Sequence, residues 1–240
     1  MPHIDREGVL TATQVLSATV PKAALLPWAV KCCAEDLAQQ LAARGVKVTQ
    51  EEIRRAKQAH TRASEKARDV GHAVHAMIDI AVAAGLGEAP ATTPPEEWTR
   101  LDAEGRERAQ RLFGLWGQWI ETAGLTPVLH EVDLWEEGAL LAGSCDLVAR
   151  CADGKLAVVD WKTSKSIYSD SWYQLGIYAH LLRKRDVVVE RLIVVRIGDD
   201  GVETRQSDRV QDAIACALAL FESAKWLTRE KNPWNVDTRK

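Results

Sequence analysis

The chain is predicted to be an α/β protein with a helical extension in front of its α/β core. Three observations carry that expectation. Apolar residues recur at helical spacing through the first half; from residue 127 the period shortens to that of strands; and from residue 103 the elements run helix, three strands, helix, strand. The 240 residues suffice to bury a real core, and 46% hydrophobic with 27% charged residues exclude a disordered chain.

Ala23 to Arg44 carries an amphipathic repeat that stops near Gly45. Thr49-Gln-Glu-Glu52 then has Thr followed three residues later by Glu, a capping box that opens a helix expected to run toward Lys66. A further helix is expected from Val70 to Ala84, ending at Gly85-Leu-Gly87, and the three prolines of residues 88–96 mark a loop. Ala103 to Thr122 is a long helix stopped by Ala123-Gly124. Pro127 to Glu136, Ala139 to Arg150 and Lys155 to Lys162 form a predicted antiparallel meander, whose last turn is Asp153-Gly154. Ser171 to Arg183 is helical and sets Gln174, Tyr178 and Leu182 along one side. Val187 to Ile197 is a β-branched strand, and the last helix spans Arg209 to Arg229. Residues 1–102 are expected to be a helical region packing on a core of residues 103–240, the two forming one unit.

The formal net charge of −3 gives no overall basic coat, but it leaves room for a local basic groove. Five cysteines have no framework spacing, Asp5, Arg6 and Glu7 interrupt any secretory segment, and no run approaches the roughly 18 apolar residues of a membrane span. The expectation is a reduced, cytoplasmic protein without a membrane partner. Of nine tryptophans, Trp28, Trp116, Trp119 and Trp226 fall within helical patterns, and most are expected in the core.

The chemistry concentrates in Gly143-Ser-Cys-Asp146 and, after thirteen further residues, Asp160-Trp161-Lys162. Side chains on a strand alternate, so Asp160 and Lys162 point one way and Trp161 the other. Asp146 joins them from the preceding arm of the hairpin. Both acids sit in apolar runs, Cys145-Asp-Leu-Val-Ala and Ala-Val-Val-Asp, where an unpaired carboxylate is costly. Oxygen ligands of this kind suit Mg²⁺ or Mn²⁺, and two carboxylates with a lysine are what metal-dependent phosphodiester cleavage needs. Glu131, on the first strand, is a weaker candidate. Arg106, Arg108, Arg183-Lys-Arg185, Lys225, Arg229 and Lys231 are candidate phosphate contacts.

Gly143-x-x-Asp146, Asp160-x-Lys162 and Gln174-x-x-x-Tyr178, in that order of elements, resemble the PD-(D/E)XK nuclease superfamily. With Gly71-His-Ala-Val-His75 upstream, the chain is most similar to the RecB-like and phage recombination exonuclease branch. Leu16-Ser-Ala-Thr-Val-Pro and Leu26-Pro-Trp28 also resemble the start of small phage-borne members. The resemblance implies a restriction-endonuclease-like core with a mixed central sheet flanked by helices. It further implies that His75, Asp146, Asp160 and the backbone carbonyl of Trp161 bind the catalytic Mg²⁺, for which Mn²⁺ would substitute. Lys162 would orient or help deprotonate the attacking water, while Gln174 and Tyr178 would brace the lysine. His72, one turn from His75, is the lesser candidate ligand. Iron–sulfur relatives carry three cysteines after the core; only Cys216 follows Cys151 here and no C-x-x-C exists, so no iron–sulfur cluster is expected.

The implied function is a DNA exonuclease of phage-type recombination, replication or repair, acting on single strands or duplex ends and working with an annealing protein or replication factor. A structure-specific endonuclease and a silent nucleic-acid-binding module on the same fold are the alternatives. A metal hydrolase of small phosphates is disfavoured by the helix bearing Gln174 and Tyr178.

Overall fold

The computed structural model describes residues 9–20, 25–42, 49–88, 95–136, 138 and 140–228. Its centre is a six-stranded mixed sheet made of β1 (Leu10–Thr11), β2 (Leu125–Glu136), β3 (Leu141–Cys151), β4 (Leu156–Lys162), β5 (Arg191–Gly198) and β6 (Gly201–Ser207). The order is β1-β3-β4-β5-β6, with β2 paired to β3. β2, β3 and β4 form the expected meander, with Leu147 opposite Val159 in the second hairpin. β4 and β5 are parallel, so the chain must cross over, and α7 (Ser169–Arg183) makes that connection.

Helices cover both faces because the strands are apolar on both sides. On one face α7, α8 (Val210–Thr228) and α1 (Ala12–Thr19) bury Leu175, Ile177, Phe221 and Val15 against Val148, Val158 and Val194. On the other, α4 (Ala59–Gly85) and α6 (Ala103–Ile120) bury Val74, Ile78, Leu112 and Trp116 against Leu147, Val159 and Ile193. Trp161 lies on this second face, edge-on to Trp116 and Trp119. α2 (Leu25–Ala42) and α3 (Gln50–Lys57) pack on α4, and a short α5 (Glu96–Thr99) follows it. Of the tryptophans in helical patterns, Trp116 is buried and Trp226 is about half exposed.

Four differences from the expected elements have physical causes. The capping box at Thr49 opens a helix, but that helix stops at Lys57, and α4 then runs unbroken past the expected pause at residues 67–69. No glycine or proline marks the break at Gln58, so nothing in the local sequence announces it. The strand expected from Val187 starts at Arg191, because Val187 N–H donates to Leu182 O and Glu190 N–H to Leu156 O, holding the segment as a loop. β6 was not expected: it is a polar edge strand without apolar alternation, although Asp200-Gly201 before it is a turn signal. β1 and α1 were not expected either: the two residues of β1 carry no periodicity, while the eight-residue α1 had a readable start in the Thr11–Gln14 capping box. Much of the loop expected at 88–96, Ala139, and the helix end at Arg229 lie outside the described residues, as do Arg44, Gly45 and Lys231. Among the described residues no helix is long and apolar enough to cross a membrane.

Candidate active site

The β3–β4 ladder is paired from Leu147 and Val159 to Arg150 and Leu156, and at the site end of that stretch a side chain continues the pairing. Trp161 N–H donates to Asp146 Oδ2 at 2.8 Å, so the carboxylate stands where a strand acceptor would. On the same side of the β2–β3 ladder the Glu131–Asp146 pair is skipped, although the register holds on either side of it. Glu131 there has φ 43°, a left-handed backbone that a glutamate seldom adopts. Cys145 packs in the core on the α7 face and Leu147 in the core on the α4 face. Strand alternation therefore changes sides at Asp146, and its carboxylate can meet groups from both faces.

From the α4 face comes His75, whose Nδ1 lies 3.6 Å from Asp146 Oδ1. From the other come Asp160 and Lys162, whose ammonium is 2.7 Å from Asp160 Oδ2. Lys162 Nζ donates to Gln174 Oε1 at 2.9 Å, and Gln174 Nε2 donates to the Tyr178 hydroxyl at 2.5 Å. The i, i+4 spacing on α7 thus becomes a relay that anchors the lysine. Tyr178 can reach it because position 143 is glycine: a Cβ there would lie 2.7 Å from the tyrosine ring. Gly71 similarly lets α4 lie against Thr163, whose hydroxyl oxygen is 2.8 Å from where a Cβ would be.

Charge is distributed unevenly. Burial pushes the Asp160 carboxyl up, and Lys162 does not fully offset that. Burial acts on Asp146 the same way, but His75, Lys162 and the Trp161 N–H outweigh it and hold this carboxyl down. Burial opposes charge on His75 and Lys162 as well; the neighbouring acids win, and both are raised. Burial also lifts Tyr178 well above its ordinary range, keeping the phenol neutral. Glu131, pushed up to about 7 by burial and then by Asp146 and Asp79, stands beside this group.

Asp160 is 1% exposed, and its Oδ2 is ion-paired with the Lys162 ammonium at 2.7 Å and accepts no hydrogen bond from any other group. A buried carboxylate oxygen with a free lone pair fits a hard cation, as do the oxygen and imidazole donors around it. Among the described residues, however, no three His, Cys, Asp or Glu side chains converge into a cation site. The site as it stands offers Asp160 an ammonium instead.

A cleft of about 960 Å³ opens over the site. His75, Glu131, Asp146, Trp161 and Lys162 line it, together with residues that sequence reasoning passed over: Thr13, Arg68, Asp79, Asp133, Ser144, Thr163 and Ser164. Arg68 and Asp79 had a readable signal, lying 7 before and 4 after His75 on one helix face. Thr13 had none, since its position depends on β1 pairing with Leu141 and Ala142. His72 is on the cleft wall one turn from His75. Several candidate phosphate contacts are committed elsewhere: Arg108 to Asp199, Lys184 to Glu136, Lys225 to Glu222, and Arg185 over Trp135.

A meander, a crossover helix and a parallel strand, between helical layers, make this a restriction-endonuclease-like fold. Residues 48–231 match the PD-(D/E)XK nuclease superfamily, and the chain belongs to that superfamily. Its class is that of nucleases, whose substrate is nucleic acid. The protein SSO0001, of known crystal structure, is similar over 95% of this chain and 80% of its own, at 15% identity and a TM-score of 0.39. Comparison with curated proteins gives no match.

Proposed function

We propose that the chain is a Mg²⁺-dependent DNA exonuclease that hydrolyses phosphodiester bonds. One observation carries the reading: a buried carboxylate, Asp160, is ion-paired with Lys162 while a second carboxylate, Asp146, stands on the neighbouring strand. Binding alone would not require this costly arrangement. Asp146, Asp160 and His75, with the Trp161 carbonyl, would hold the cation, and Mn²⁺ would fit the same donors. When bound, the cation supplies a Lewis acid beside the phosphate.

The chain's own groups do the rest. Lys162 keeps its proton, so it acts as a donor to the attacking water or to a phosphate oxygen, offsetting charge that grows during attack. Its three donors form a mobile point charge. The Gln174–Tyr178 relay confines that charge, and Trp161 anchors the strand from the opposite face. The Gly71–His75 segment favours recombination, replication or repair of phage type, with an annealing protein or replication factor as partner.

The test incubates wild type and Asp160→Ala with end-labelled single-stranded, blunt duplex and closed circular DNA, in Mg²⁺, Mn²⁺ or EDTA. Metal-dependent loss of linear DNA, absent in the variant and sparing circles, is expected. Cut circles would make the chain an endonuclease. A folded wild type that binds DNA but cuts nothing would make it a silent binding module.

A further inference from the structure

Helix α4 runs along the cleft, presenting Arg68, His72, His75 and Asp79 to it. At 1.5 Å of rise per residue, Arg68 precedes His75 by about 10 Å and Asp79 follows it by about 6 Å. The helix therefore sets out an axis with the candidate site in its middle and a different charge at either end.

At the Arg68 end the guanidinium is 61% exposed, and its ion-pair partner, Asp69, is only at the limit of contact, 3.9 Å. His72 and the hydroxyl residues Thr163 and Ser164 share the cleft with it. Two carboxylates stand on α5 at this rim. Glu96 is held 2.6 Å from Arg100, which leaves Glu97 as the lesser obstacle. At the Asp79 end the cleft is lined by Asp79, Glu131 and Asp133. His130 is shared between Asp79 and Glu88.

A nucleic-acid backbone carries a negative charge at every nucleotide, and it gains at an unspent arginine and loses against clustered carboxylates. We propose that a polynucleotide enters this cleft from one end only, its backbone lying along α4 over Arg68 and His72 and its terminus stopping at the acidic end that Asp79 and Asp133 line. The proposal rests on the nuclease reading and adds a physical cause for end-restricted attack. A strand with a free end needs to place only that end beyond His75. A closed circle has no end to stop there and must carry backbone phosphates past those acids.

The test has a binding arm and a cleavage arm. Binding of a fluorescein-labelled single strand is measured in EDTA, in the Asp160→Asn background, over a series of salt concentrations. Arg68→Ala should weaken binding several-fold and lower the slope of log K against log salt by about 0.7, the loss of one single-strand phosphate contact. Arg209→Ala, whose guanidinium is 82% exposed at the start of α8, should change neither. In Mg²⁺, with Asp160 restored, Asp133→Asn should raise the cleavage of closed single-stranded circles relative to linear strands by about 10-fold. Melting temperatures should stay at the parent value in all three. An unchanged slope for Arg68→Ala overturns the strand path, as does a wild type that cuts circles as fast as linear strands. The expected slope change in a protein that cuts nothing would sink the nuclease reading and leave the path standing. No binding by any variant overturns both.

Discussion

At Gly176 helix α7 lies directly against the backbone of α8, and replacing the glycine with alanine should damage both stability and the site. A Cβ at 176 would sit 2.6 Å from the Ala213 carbonyl carbon and closer still to its oxygen, with Ala217 Cβ at 3.1 Å. Carbon atoms prefer about 3.5–4.0 Å, so α7 and α8 must separate by roughly 1 Å. The obstacle is backbone, which cannot rotate away, and the gap would open next to Leu175, Ile177 and Phe221. Overpacking costs about 1–3 kcal/mol, and a backbone obstacle belongs at the upper end. Alanine returns up to about 1 kcal/mol of helix propensity. The net loss is about 2 kcal/mol, or roughly 4–8 °C in a chain of this size. Gly114 and Gly117 on α6 are the controls, because a Cβ there meets nothing within 4 Å. The same substitution should therefore stabilise by up to about 1 kcal/mol at each. Thermal melts and urea midpoints of the three variants decide it. Gly176→Ala melting at or above wild type would refute the close approach. Gly176 also lies between Gln174 and Tyr178, so cleavage should fall further than the melting shift alone explains.

The remaining predictions concern the site. Lys162→Met should slow cleavage roughly 10²–10⁴-fold with little change in DNA affinity, read from single-turnover rates and anisotropy. Gln174→Leu removes the lysine's anchor and should cost about 10-fold in the same assay. Glu131 gives a pH signature. Its folded pKa, about 7, is above its unfolded value, so the folded chain holds the extra proton and stability falls as pH rises from about 4.5 to 7. The full shift would be worth about 3 kcal/mol, and partial exposure reduces that to about 1–2. Glu131→Gln in EDTA should therefore melt higher than wild type at pH 8 and equally at pH 4.5; a gap that grows toward acid would contradict the burial argument.

How much of this was legible depended on whether the signal was local. Asp160-Trp161-Lys162 could be read because one strand fixes all three directions, and Trp161 does turn to Trp116 and Trp119 while its neighbours turn to each other. Gln174 and Tyr178 could be read from helical spacing. Thr13 and Thr163 reach the cleft through long-range packing, and no window of sequence contains that. β6 and β1 escaped for a related reason: a polar edge strand and a two-residue strand are made by their partners. The break at Gln58 escaped because α4 is a solvent helix in its first half and a core helix in its second, so its apolar period begins only near Val70.

The change of face at Asp146 explains why the site is there at all. Counting back from Val148, regular alternation would put Asp146 on the α7 face, among Cys145, Val148 and Val158. Counting forward from Cys145 would put it on the α4 face, among Leu147 and Val159. Either way the carboxylate would face the polar groups of one side of the sheet only. The irregular step at Glu131 and the skipped pair give it a third position, in the plane of the sheet, where the Trp161 N–H bonds it. Only from that plane can one carboxylate meet His75 from α4 and share a cleft with Lys162, which belongs to the α7 face. A sheet without the defect would have packed better and joined nothing across its faces. Restoring regular backbone at 131 should therefore separate the histidine from the lysine before it disturbs the core.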